Sequence, residues 1–207
     1  MSFFYIIDGG YDTHANVDDN LINNFSRING VIEAFVDELK VLGLWENTVV
    51  VQFSEFARTL DPNTGEGTDH AWGGQHFMFG GNVKGGHVLG KYPDNFEQGD
   101  PEQLALSRGR MIPTSPWDAM WLGVAQWFGI PYDKTEGAAN AEMETILPMH
   151  KNFPKNILYD MDALFCEGGG CPTSSPTDAP LPTFSPTLSA GPTNGVAAAA
   201  ERSYPWE

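Results

Sequence analysis

The chain has 207 residues, enough for one domain with a hydrophobic core, and thirteen Phe and six Trp supply apolar area to bury. A formal charge of −16 argues against nucleic acid and against an anionic membrane surface, because both attract Lys and Arg clusters that this sequence lacks. No run approaches the roughly 20 apolar residues that span a bilayer, so no membrane insertion is expected, and the acidity reads first as solubility.

The N-terminal stretch MSFFYIID has no basic region and no cleavage site, so it is not read as a signal peptide. Its short apolar run suits a buried strand instead. From Leu21 onward, Phe25, Ile28, Ile32, Phe35, Leu39 and Leu42 recur in alternating steps of four and three. That spacing places them on one face of a helix, which Gly43 can end. TVVVQF is β-branched and continuous, as expected of an interior parallel strand. HFMFGG reads as a third strand. Ser115-Pro116-Trp117-Asp118 offers an N-cap, a proline in the first turn and an acid beside it, opening a helix that runs through Phe128. Strand–helix–strand order predicts an α/β layered fold with a mostly parallel sheet flanked by helices.

Two domains of different character are expected: residues 1–165 form the α/β part, and 166–207 a separate segment. Cys166 and Cys171 flank EGGG, and that spacing suits either a small disulfide loop or two thiols on a flexible segment. The tail beyond them is rich in Pro, Ser and Thr and has no period of 3.6 or 2, which predicts disorder. Its composition resembles the stalks of secreted or wall-associated proteins, so a secreted or cell-surface location is expected. A plain linker is the competing reading.

Ligands in layered α/β folds gather beyond the carboxyl ends of strands. Asp8 sits where the first strand is expected to end, with Asp12 and His14 just beyond it. Ser54 and Glu55 follow TVVVQF, and Asp69 and His70 lead toward HFMFGG. Each cluster alone has an ordinary reading, since Asp-x-His is common in turns and a lone acid after a strand often caps a helix. Three such clusters at corresponding ends point to a site.

The blocks GGYDTHANV, LGLWENTVVVQFSEFARTL, GTDHAWGGQHFMFGGNVKGG and RGRMIPTSPWDAMWLGVAQWFGI resemble, in order and spacing, the domain-of-unknown-function 1501 family, grouped with the alkaline phosphatase and sulfatase superfamily. The resemblance runs from about residue 4 to residue 155, with Tyr11 where the family has Trp, and Ala57 and Ala71 where it has Gly. It implies an alkaline-phosphatase-like fold and a divalent metal at Asp12, His14 and His70. That mixed set suits Zn or Mn, and Asp8 with Glu55 would support Mg or Ca at a second site. Ser54-Glu55 stands where the superfamily has an Asp-His pair, which weakens that second site. Arg58 is the residue expected to pair with an anionic ester substrate. Ser54, Asp69 and His76 are expected behind the ligands, His76 as a core or supporting group.

The superfamily nucleophile lies upstream of these blocks, so this chain is expected to be a C-terminal half whose N-terminal half is missing and whose catalytic nucleophile is unknown. Ser54 and Thr13 are ordinary cap or turn hydroxyls on this reading. Two functions follow: a metal-dependent phosphoric or sulfuric ester hydrolase, or a non-catalytic surface domain with a structural or vestigial cation site. An exposed apolar edge along SFFYIID would favour self-association.

Overall fold

The computed structural model describes residues 2–91, 104–135, 137–167 and 171. All of them belong to one compact unit, Met1–Thr173; the second unit, Ser174–Glu207, and with it the Pro/Ser/Thr-rich tail, lies outside the described residues. The chain opens with residues 2–16, which form no regular element, and continues into α1, Val17–Val41. β1 is Val49–Gln52, β2 is Ala57–Arg58, β3 is His70–Ala71 and β4 is Phe77–Gly80. β5, Ala105–Leu106, and β6, Arg110–Met111, precede α2, Asp118–Trp127. Two short helices follow, α3 at Ala141–Ile146 and α4 at Met161–Leu164.

α1 ends as its sequence predicts. Gly43 takes a φ of 66°, Leu44 N–H donates to Leu39 O at 2.8 Å, and Gly43 N–H donates to Lys40 O at 3.1 Å. This is a Schellman closure, which requires a left-handed residue just past the helix. The apolar stripe forms but is little covered. Only Leu39 is buried, whereas Phe25 and Leu42 keep more than half of their surface.

The layered, mostly parallel sheet is overturned. The described strands make three two-stranded antiparallel sheets, β1 with β4, β2 with β3 and β5 with β6. A parallel neighbour for β1 requires a strand before α1, and SFFYIID is not one: residues 2–10 are exposed and unpaired, Ile6 at 85%. β1 instead takes β4, with Val49 opposite Gly80 and Gln52 opposite Phe77, because the intervening chain doubles back through the β2–β3 hairpin. A β-branched run specifies a covered strand and says nothing of the direction of its neighbour.

The core lies around α2. Val83, Val124, Leu164 and Phe165 pack with Val49, Val51 and Met78 of the β1–β4 ladder, and with Trp121 and Trp127. Val49 and Val51 share one face because side chains alternate along a strand. On the other side of α2, Ala119 and Leu122 meet Met143 and Leu158. Gly123 lets the segment leading into α4 approach: a Cβ there would meet Asp160 O at 2.8 Å. Ser115 makes no side-chain cap; its Oγ shares a 2.7 Å hydrogen bond with Tyr159 OH, and α2 begins at Asp118. Of the two readings open for Cys166 and Cys171, the structure has the disulfide, with Cα atoms 5.4 Å apart.

Candidate metal centre

Three chain segments build the site. Residues 12–16 lead into α1, and their backbone is fastened to the loop between β2 and β3. Thr68 N–H donates to Thr13 O at 2.9 Å, Asn16 N–H to Gly65 O at 3.2 Å and Val17 N–H to Glu66 O at 2.9 Å. Asn63 organises that loop. Its Oδ1 accepts from Gly65 N–H at 2.9 Å and Gly67 N–H at 3.1 Å, and its Nδ2 donates to His14 O at 3.0 Å. Gly67 has to be glycine here, since a Cβ would sit 2.1 Å from the His14 carbonyl carbon.

The β2–β3 ladder supplies the rest. Arg58 stands opposite His70, so the two side chains leave the same face. Buried Thr59 fastens the next residue pair: its N–H donates to Asp69 O at 2.8 Å, and its Oγ1 accepts from Asp69 N–H at 3.0 Å. Phe56 lies over the His70 ring at 4.4 Å between centroids.

Asp12, His14 and His70 therefore converge. His14 Nε2 and His70 Nε2 each lie 3.0 Å from Asp12 Oδ1, and 3.1 Å from one another. Two imidazole nitrogens and one carboxylate oxygen form a nearly equilateral triangle, although 58 positions separate Asp12 from His70. All three residues are exposed, so the triangle opens to solvent. Zinc bonds of about 2.0–2.1 Å place tetrahedral ligand atoms roughly 3.3 Å apart, a few tenths wider than this spacing. The group could hold a metal ion, and it is the cluster of that kind among the described residues.

The surrounding charges favour an ionised Asp12. The His70 imidazole, then the Arg58 guanidinium at 2.7 Å, hold its carboxyl below the usual range. Asp69 faces His14 from the other side, its Oδ1 3.1 Å from His14 Nδ1. Asn63, Arg108 and His14 together lower the Asp69 carboxyl to about 2.

Other residues expected at the site are engaged elsewhere. Asp8 pairs with Arg27 Nη1 of α1 at 2.8 Å and accepts from Tyr11 OH at 2.8 Å, and these contacts lower its carboxyl. Glu55 is exposed and outside the triangle. Arg58 also donates from Nε to Thr68 Oγ1 and from Nη2 to Thr68 O. Ser54 Oγ donates to Phe56 O at 2.9 Å, an ordinary turn bond, and Thr13 is buried. His76 packs edge-on against Trp117 at 5.2 Å, and desolvation lowers its imidazole. Asn63 and Arg108 are additions that the sequence did not announce. NTGEG reads as a turn, but nothing in SRGR connects it to His14.

The site is thus a surface Asp–His–His cluster on a small mixed segment of one long helix and short antiparallel hairpins. The model of a family described as a protein of unknown function, DUF1501, matches residues 1–102, the segment that carries all three clustered side chains. The match bears out the resemblance over those residues. No curated protein and no solved structure matches the chain.

Proposed function

We propose that the chain binds a divalent cation, Zn or Mn, through Asp12, His14 and His70, as part of a metal-dependent phosphoric or sulfuric ester hydrolase. The triangle of ligand atoms 3.0–3.1 Å apart carries this reading. Mixed nitrogen and oxygen donors suit those metals better than Mg or Ca. Three protein ligands on an open surface leave room for a substrate oxygen, the arrangement of catalytic rather than closed sites. A bound cation supplies polarisation of an anionic ester oxygen. Arg58, beside Asp12, supplies a positive charge against the non-bridging oxygens of such an ester.

A second reading has its own support. Ser54 and Thr13 are committed to a turn and to the interior, so neither is presented as a nucleophile. On that reading the chain is a non-catalytic domain that keeps a cation for structure. A secreted or cell-surface location goes with either, supported by the Cys166–Cys171 disulfide and the stalk-like composition of the tail. No helix among the described residues is long and apolar enough to cross a membrane.

The test is calorimetric titration with Zn and Mn, followed by turnover of an aryl phosphate and an aryl sulfate by the chain and its His14→Ala variant. Metal-dependent turnover lost in that variant establishes the hydrolase. Binding without turnover establishes the structural site. No binding removes both.

A further inference from the structure

We propose that Arg108 is a positioning residue for His14, acting through Asp69; the inference rests on the cation site described above. Arg108 Nη1 lies 2.5 Å from Asp69 Oδ2, and the other oxygen of the same carboxylate faces His14 Nδ1 at 3.1 Å and accepts from Asn63 Nδ2 at 3.3 Å. An ionised carboxylate only accepts, so Asp69 draws the ring proton to His14 Nδ1, in competition with Asp12 Oδ1, which faces His14 Nε2 at 3.0 Å but already takes Arg58 at 2.7 Å and His70 at 3.0 Å. A neutral imidazole has one such proton. His14 Nε2, the atom at the triangle, then presents its lone pair, which is the form a cation needs. Arg108 and Asn63 hold Asp69 from two sides, so the carboxylate cannot swing away from His14.

The backbone around Arg108 is built for this reach. Arg108 is a non-glycine residue at φ 65°, ψ 25°, followed by Gly109 at φ 65°. Side chains seldom tolerate that region, and such outliers persist only where surrounding contacts enforce them. Here the turn between β5 and β6 docks on the β2–β3 hairpin. Leu60 N–H donates to Gly109 O at 3.1 Å and Asp61 N–H to Arg108 O at 3.4 Å. The same β5–β6 hairpin is fastened beyond β3, where Gly73 N–H donates to Met111 O at 2.9 Å. It is thus tied to both arms that carry site residues, and the left-handed turn aims a guanidinium at Asp69.

The experiment uses Arg108→Gly, which removes the guanidinium while placing at that left-handed position the residue that favours it. Arg108→Lys restores a charge, and Asp69→Asn swaps the acceptor for a group that can donate. In the metal-free 207-residue chain at about pH 9, where a free imidazole is neutral, ring ¹⁵N shifts report which His14 nitrogen is protonated. The expected result is Nδ1–H in the parent, a mixture of tautomers in Arg108→Gly, recovery toward the parent in Arg108→Lys, and Nε2–H in Asp69→Asn. Zn affinity should fall about tenfold or more in Arg108→Gly. A His14 tautomer unchanged in Arg108→Gly overturns the inference, whatever happens to affinity. A parent that binds no Zn but shows the tautomer shift leaves Arg108 as a positioning residue and removes the cation reading instead.

Discussion

Arg58 and His70 face each other across the β2–β3 ladder and both end on one atom, Asp12 Oδ1, at 2.7 Å and 3.0 Å. A single backbone pairing therefore brings a permanent cation and an imidazole to the same carboxylate. The Asp12 carboxyl is held below the usual range, and with His14 it completes an exposed ligand set.

Substituting His70 or His14 with Ala should weaken Zn or Mn binding by about tenfold or more, since each removes one of three ligand atoms. Calorimetric titration measures it. Equal affinities in the parent and both variants would dismiss the triangle as a metal site.

Stability should fall with acid in a window that Asp69 defines. Its carboxyl is lowered from 3.8 to about 2 by Asn63, Arg108 and His14. A depressed folded-state value means stabilisation that is present above the unfolded value and lost as the pH drops through the folded one. The contribution should be intact above about pH 4 and gone near pH 2. Denaturant unfolding across that range should show a shallower acid slope in Asp69→Asn than in the parent; parallel slopes would contradict the assignment.

Gly67→Ala should dislodge the loop that holds Asn63 and Asp69. The added methyl group would overlap the His14 backbone at 2.1 Å, so one of the two segments must move. The expected cost is about 1–3 kcal/mol by denaturant unfolding, together with weaker cation binding. Unchanged stability and binding would show that the loop and residues 12–16 are not so closely joined.

Leu122→Ala should separate folding from the site. Leu122 has no exposed surface and lies between α2 and the Met143 and Leu158 side chains. Removing its methyl groups should cost about 2–5 kcal/mol. Zn affinity of the folded fraction should match the parent, because neither α2 nor its neighbours supply a ligand.

By itself the sequence determined what depends on near neighbours in the chain. The stripe from Phe25 to Leu42 and Gly43 were enough for α1 and its end, since helix periodicity and a left-handed stop are local properties. Asp12 and His14 were legible for the same reason, being two positions apart in a turn-forming segment. The bare composition of TVVVQF and HFMFGG was enough to make them strands, but the direction of a strand's neighbour depends on the path of the chain between them. The tertiary structure settled that in favour of β4, leaving SFFYIID unpaired. Pairing Arg58 with His70 across the β2–β3 ladder brought His70 to Asp12, while Asp8 pairs with Arg27 of α1 and stays out of the triangle. Arg108 shows the limit most clearly: its link to Asp69 depends on a left-handed turn docked against Leu60 and Asp61. Contacts between segments so distant in the chain have no periodicity or motif to mark them, because they are chosen by backbone packing after the local elements have formed.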